Sequence, residues 1–462
     1  MSLRRWQQQS ATQAIKKYSL GQQHFLCLAT PGAGKTRMAA EVAARLFQKA
    51  KIDFVICFSP SVATVKGMQN TLEGILNAPL TGRIGAKGVC VTYQSLNHKD
   101  SGFWDVFRQH RVFAIFDEIH HCGGNDMNDA NVWAQHILVN VQSHAYFTLA
   151  LSGTPWRSDN RPVTLSKYSE LDGSIHCDFE YGLADAISEK VCRIPYVTVI
   201  ENDNIRLASN TDGPRVYKSI QQMLLDESVS YQTVVEADSV IDFCLQEANK
   251  QLKTIKRDNP NAAALVVAST IEHAERIAEK LRLGISNSVS IVTSRNNDSD
   301  LIIEQFQNTN TEWLVSVGMV SEGTNIPRLQ VCCHLTRIKT ELHFRQILGR
   351  IMRLTNTDIN NQAHLFAPAQ PKIVEYARRL YEDVPSEVAS VAVISNQEPL
   401  LIDEPETVSE VQLANQIITS VIKQNQHQND PNPTPIETSL SDNYFSGLGF
   451  NGRFTKNLIV SV

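Results

Sequence analysis

The chain has 462 residues, room for about three domains of about 150 residues each. It is 42% hydrophobic and 20% charged, and no stretch approaches the roughly 18 consecutive apolar residues of a membrane helix, so a helical membrane protein is not expected. A net charge of −5 counts against a protein that coats nucleic acid through bulk charge, but leaves open one that grips a strand in a narrow groove.

Residues 1–7 carry basic side chains with no apolar core behind them, so no secretory signal is read there. Residues 25–29 form a short apolar run that ends at a glycine loop, and 38–46 follow with helical periodicity. The runs 54–58, 89–92, 112–116 and 147–151 read as further buried strands. Continuous apolar strands of this kind are covered on both faces, which predicts an α/β fold with a parallel sheet flanked by helices. Ligands of such sheets bind at the carboxyl ends of the strands. A long helical pattern then places Val234, Val235, Val240, Ile241, Cys244, Leu245, Leu252 and Ile255 on one face, ended by Asn259 and Pro260. A second αβ series follows, with strands at 264–268, 290–293 and 313–317 and helices at 271–283 and 301–306. Beyond about residue 385 the pattern degrades. Residues 423–433 form a polar linker, and aromatics return at Tyr444, Phe445 and Phe450.

Nine cysteines are scattered, most of them in apolar runs, which is the usage of a reducing cytoplasmic compartment. Cys332 and Cys333 are adjacent in a predicted strand, where neighbours point to opposite faces, so a shared metal is not expected.

Two phrases carry the chemistry. The first, residues 29–36 (ATPGAGKT), is a phosphate-holding loop between a strand and a helix. Such a turn aims backbone N–H groups at one point, and the helix amino terminus adds positive potential. Pro31, Gly32, Ala33 and Gly34 form the cradle, Lys35 pairs with the β and γ phosphates of ATP, and Thr36 offers its hydroxyl to Mg²⁺. Ala29 stands where the first glycine of the pattern is usual. The second phrase, residues 346–353 (QILGRIMR), supplies Arg350 and Arg353, one helical turn apart, to reach the same phosphates from another domain. Between them, Asp117 and Glu118 follow the strongest apolar strand. Adjacent carboxylates at a strand end are costly unless a cation is near, and Mg²⁺–ATP supplies one. Asp117 is read as orienting the metal and Glu118 as positioning or deprotonating the attacking water. His120 is read as a relay between nucleotide and nucleic acid, and His121 and Cys122 as structural.

With these motifs in this order, the chain resembles a superfamily 2 helicase of the DEAD/DEAH kind from about residue 3 to residue 380. Residues 3–7 (LRRWQ) resemble the adenine-reading segment, with Arg4 and Gln7. Residues 117–120 (DEIH) form a DExH box, and 152–155 (SGTP) resemble the coupling motif, with Ser152 and Thr154. Residues 268–270, 322–327 and 346–353 match the second domain. Residues 152–157 and 319–323 point toward the restriction-subunit and DNA-repair type of bacterial and phage helicases. Asn325 replaces the usual acidic residue, and Lys66 stands where many relatives have glutamine. No cysteine follows Cys333, so the zinc module of some relatives is not expected, and no nuclease cluster is evident.

The resemblance implies two tandem RecA-like domains with parallel sheets plus a C-terminal tail. The expected division is 1–195 for the ATP-binding domain, 196–258 for a helical linker region, 259–385 for the arginine-finger domain and 386–462 for the extension. ATP with Mg²⁺ would lie between the domains, read by Asn325 as well as by the loop, with Gln346, Arg350 and Arg353 acting in hydrolysis. Ser61, Thr92, Ser269, Thr293 and Thr324 would hold the phosphates of a strand. The implied function is an ATP-dependent DNA helicase or translocase of repair, recombination or restriction and phage defence. An RNA helicase is the second reading. The third is an ATP-controlled motor or binding subunit of a larger restriction or anti-phage complex, with the C-terminal tail as a candidate contact for a protein partner.

Overall fold

The computed structural model describes residues 3–123, 131–153, 163–165, 167–168, 175–208, 214–226, 229–293, 295, 298–318, 326–354, 359–382 and 448–460. The first sheet is built from β1 (His24–Ala29), β2 (Phe54–Ser59), β3 (Gly88–Thr92), β4 (Val112–Phe116) and β5 (Phe147–Ser152). After a small antiparallel pair, β6 (Lys167–Tyr168) and β7 (Ile175–His176), β8 (Phe179–Tyr181) completes it. The strand order is β3-β2-β4-β5-β1-β8, and every neighbouring pair is parallel. Its helices are α1 (Arg5–Ser19), α2 (Lys35–Gln48), α3 (Val62–Leu76), α4 (Ser101–Gln109), α5 (Val132–Asn140) and α6 (Leu183–Ser188).

The chain then crosses over. β9 (Ile194–Asn202) enters a second sheet, and β10 (Ile205–Leu207) pairs with β11 (Arg215–Tyr217) beside it. The helices α7 (Ile220–Leu224), α8 (Tyr231–Glu236) and α9 (Asp238–Ile255) lead into β12 (Ala263–Ala268). Next come α10 (Ile271–Gly284), β13 (Val289–Val292), α11 (Ser299–Asn308), β14 (Trp313–Ser316), β15 (Leu329–Leu335), α12 (Glu341–Ile351), β16 (Gln362–Pro368) and α13 (Pro371–Glu382). The last described segment adds β17 (Leu448–Phe450) and β18 (Phe454–Val460). The second sheet runs β13-β14-β12-β15-β16-β9-β18, parallel except for β18, which is antiparallel to β9. Among the described residues no helix is long and apolar enough to cross a membrane.

The strands are buried on both faces because alternate residues feed different cores. In β4, Phe113 and Ile115 join one apolar cluster, while Val112, Ala114 and Phe116 join another. In β15, Cys332 and Cys333 likewise fall into separate clusters, on opposite faces as a pleated strand dictates. Each such large side chain contributes about 1.5–3 kcal/mol by leaving water. One cluster runs across the seam, from Ala33 and Met38 through Cys192 and Val197 to Phe344 and Ile347. The two sheets therefore share a partly apolar seam.

Three elements differ from the sequence reading. The helical pattern between the two series is broken at Ala237, which is extended (φ −69°, ψ 126°), giving α8 and α9 in place of one helix. The segment expected to be wholly helical opens with β9, a long strand whose partner, β16, lies far along the chain. The aromatic end of the tail, read as a groove-docking segment that would meet a partner or affect how the two domains open, pairs as strands with this chain itself. Leu448 and Phe450 pair with Leu207 and Ile205 of β10, and Lys456 of β18 meets Glu247 of α9 at 2.8 Å. The physical reason is that β9 and β10 each present an unpaired ladder edge, which another strand of the same chain covers. Tyr444 and Phe445 lie outside the described residues.

Candidate nucleotide site in the interdomain cleft

The phosphate loop leaves β1 at Ala29 and enters α2 at Lys35. Gly32 (φ 83°) and Gly34 (φ 95°) both take left-handed backbone that a side chain would strain. A Cβ on Gly34 would sit 2.7 Å from Gln7 Nε2, so the loop is also full from behind. There Gln7 Nε2 donates to Gly34 O at 2.9 Å, Arg4 Nη1 donates to Ala33 O at 2.7 Å, and Arg4 N donates to Gln7 Oε1 at 2.9 Å. In this conformation the amide of Gln7, read from the sequence as facing adenine, braces the loop.

Lys35 is 8% exposed and opens α2. Its Nζ donates to Ala29 O at 3.1 Å and pairs with Glu118 Oε1 at 3.2 Å. Glu118 has φ 50°, a left-handed conformation costing about 1–2 kcal/mol in a residue with a Cβ. That backbone turns its carboxylate toward β5, where Gly153 N donates to Oε2 at 3.2 Å. Burial works against the Glu118 carboxylate, but Lys35, His120 and the Gly153 amide together hold it down at about 2. Asp117 is pushed the other way, up to about 7, first by burial and then by Glu118 beside it. One carboxylate of the pair is thus compensated by the chain, and the other sits where a cation would restore its charge.

His120 is 2% exposed and couples this pair to β5: its Nδ1 lies 3.0 Å from Ser152 Oγ and 3.4 Å from Glu118 Oε2. Tyr93, fully buried, donates its hydroxyl to Asp117 O at 2.9 Å and ties the β3 end to the β4 end.

The second sheet supplies the opposite wall. Gln346, Gly349 and Arg350 lie on α12, and Arg353 follows its C-cap, Met352. All four line the same cleft of about 440 Å³ as Lys35, Thr36, Asp117, Glu118 and His120. Burial, with Arg350 close by, disfavours the charge on Arg353, and Glu118 favours it. Two guanidinium groups and an ammonium around one cleft form a site for a polyanion. A larger cleft of about 970 Å³ opens on the other side of Pro31, along the same seam.

Contact between the walls is close at one point. A Cβ on Gly349 would lie 2.4 Å from Pro31 Cβ, nearer than two carbons can approach. Gly349→Ala would gain about 1 kcal/mol of helix propensity. It should nevertheless cut turnover on the order of 10²-fold, because the rigid proline ring forces the walls apart by a fraction of an ångström or more. Melting temperature and turnover measured together check this. Unchanged turnover would mean that Pro31 and Gly349 do not meet in the working state.

The residues read as strand contacts lie at carboxyl ends of strands, and each is engaged by its own chain. Ser61 caps α3, accepting from Thr64 N at 3.2 Å, and Thr92 accepts from Ser95 N at 3.3 Å. Ser269 Oγ donates to Leu335 O at 3.3 Å and accepts from Arg337 N at 3.1 Å. Thr293 is buried, and its carbonyl accepts from Ser299 Oγ at 3.3 Å. Thr154, Thr324 and Asn325 lie outside the described residues.

Sequence reasoning missed three contributors: the Gly153 amide, Gly349, and Arg193, described below. Gly153 and Gly349 stand inside the quoted motifs, so a close look at their glycines could have found them. Arg193 has no local signal.

A glycine loop at one strand end, a carboxylate pair at another and two arginines from a second sheet line one cleft, the arrangement expected of a nucleotide site divided between two RecA-like domains. Two family models match the sequence: "Type III restriction enzyme, res subunit" over residues 1–157 and "Helicase conserved C-terminal domain" over residues 245–355. An uncharacterised protein of Mycobacterium leprae is 28% identical over 393 residues, 82% of this chain and 64% of its own length. The chain thus spans under two thirds of that relative. Among solved structures, a fragment described as an HsdR subunit of a type I restriction enzyme from Vibrio vulnificus superposes with a TM-score of 0.56 at 17% identity, covering 83% of this chain and 67% of that one. The ATP-dependent type ISP restriction-modification enzyme LlaBIII bound to DNA gives 0.53 at 15% identity, covering 82% and 30%. The two family models and the shared architecture support a superfamily 2 helicase related to restriction-enzyme subunits.

Proposed function

We propose that the chain is an ATP-driven translocase on DNA, with hydrolysis gated by closure of the interdomain cleft. The observation that carries this reading is the convergence of Lys35, Glu118, Arg350 and Arg353 on one cleft from two sheets. Thr36 and Asp117 would hold Mg²⁺, and the half-buried carboxylate of Asp117, crowded by Glu118 beside it, fits that group. Bound Mg²⁺ would neutralise developing charge on the phosphate oxygens.

The chain's own steps follow from the geometry. Lys35, paired with Glu118 at 3.2 Å, would exchange that carboxylate for the γ phosphate. Glu118, freed from Lys35 and still held by the Gly153 amide, turns to the attacking water. Arg350 and Arg353 meet the phosphoryl group as the walls close, and Gln346 helps to position the water. His120 and Ser152 report the state of Glu118 to the end of β5. Thr154 would continue that path, while Arg4 and Gln7 set the loop for adenine and Asn325 would bond the ribose. The strand ends bearing Ser61, Thr92, Ser269, Thr293 and Thr324 would track a phosphate backbone without reading bases.

DNA is favoured because the amino-terminal third, residues 1–157, matches a restriction-subunit family. The described cysteines are all free thiols, which supports a reducing, cytoplasmic setting. Displacement of a third strand from a DNA triplex, with an RNA duplex as the comparison substrate, tests the proposal. ATP-dependent displacement from DNA is the expected result. Displacement from RNA alone would make the RNA-helicase reading correct, and ATP hydrolysis without displacement would favour a binding switch within an assembly.

Glu118→Gln should keep nucleotide affinity within about 3-fold and slow turnover by about 10²-fold or more, the scale of general-base loss. Loss of affinity and turnover by a similar factor would make Glu118 a binding residue.

A further inference from the structure

Arg193 stands at the crossover from the first sheet to the second, one residue before β9, and is fully buried. Its guanidinium donates to three carbonyls from separate parts of the second domain. Nη1 reaches Leu329 O at 2.8 Å and Ile351 O at 2.9 Å, and Nη2 reaches Pro327 O at 2.8 Å. Leu329 opens β15, Ile351 ends α12, and Pro327 closes the 322–327 motif. The backbone reinforces the link: Arg193 N donates to Met352 O at 2.7 Å, and Cys192 forms a bridge pair with Arg353.

Burying a cation costs several kcal/mol. The carbonyls at the end of α12 carry the negative end of the helix dipole, which offsets part of that cost. An apolar side chain would fill the space without it. What the guanidinium adds is geometry, because its planar fork reaches separated acceptors at once, and a lysine ammonium cannot. The turn held in this way is the one that carries Arg350 and Arg353. The strand that holds it is the covalent connection between the two domains.

We infer that Arg193 is a positioning residue for ATP hydrolysis: it locks the arginine-bearing end of α12 to the interdomain crossover, so that the angle between the domains sets the reach of Arg350 and Arg353. This rests on the reading of those arginines as acting on the transferring phosphoryl group. It assigns Arg193 no contact with nucleotide.

The test compares Arg193→Lys with wild type and with Arg350→Ala. Affinity for Mg²⁺–ADP, affinity for Mg²⁺–ADP with aluminium fluoride, kcat, KM and melting temperature are measured for each. Arg193→Lys should bind Mg²⁺–ADP within about 2-fold of wild type and keep KM. It should lose about 10-fold or more in both kcat and affinity for the fluoride complex, a fraction of the full arginine-finger effect. If Arg350→Ala loses no affinity for the fluoride complex, the reading of the arginines fails, whatever Arg193 does. If Arg350→Ala loses it and Arg193→Lys lowers only the melting temperature, Arg193 is a structural residue and the inference is overturned. Hydrogen exchange on the wild-type protein gives a reading that needs no folded variant. Peptides spanning 190–196 and 346–354 should gain protection together on going from ADP to the fluoride complex. Protection gained by the second peptide alone would overturn the coupling.

Discussion

Lys35→Ala is expected to abolish ATP turnover. The loop amides remain after the substitution, but they lack the mobile positive charge that Lys35 brings to the γ phosphate. The loss has a second part. The Lys35 ammonium lies 3.2 Å from Glu118, and it is the largest of the influences that keep that carboxylate charged against burial. Without it, Asp117 and Glu118 lie side by side in a half-buried site with less compensation, and metal-bound nucleotide meets a carboxylate that is no longer poised. Release of phosphate by the purified variant, with DNA present, measures this directly. Near-normal turnover would remove the loop from the catalytic site.

Arg350→Ala is expected to spare nucleotide binding and to cut turnover by about 10³-fold, the lower end of the arginine-finger range. The loop, Lys35 and Thr36 belong to the first domain, so ground-state binding needs little from α12. Charge on the transferring group develops only in the transition state, and an arginine that meets it there affects kcat alone. An arginine that merely ends a helix would behave otherwise. Its loss would lower the melting temperature and leave turnover per folded molecule intact, so the two measurements belong together.

Both predictions rest on residues that were legible in the sequence, and the reason is locality. The glycine loop, Lys35 and Thr36 form one short phrase, as do Asp117 and Glu118 after an apolar strand. Strands such as β4 and β12 were legible because every residue is apolar, which happens when both faces are covered. The break between α8 and α9 was not legible, because Ala237 is a good helix former and only tertiary packing makes it extended. The strand β9 was hidden for another reason: its partners are β16 and the distant β18, so nothing near it in sequence announces a sheet. Arg193 shows the same limit at the site. Its acceptors at Pro327, Leu329 and Ile351 lie more than a hundred residues away, and only folding brings them together. The hydroxyls of Ser61 and Thr92 mark a different one. A cap and a phosphate contact use the same residue types at the same strand ends, and here both hydroxyls make caps.

The most direct test of the account is steady-state phosphate release by the full chain with Mg²⁺ and ATP, measured alone and with single-stranded DNA, duplex DNA and RNA. The account predicts turnover that rises on adding DNA and disappears in Lys35→Ala. Turnover that is absent with every nucleic acid, or that persists in Lys35→Ala, would contradict it.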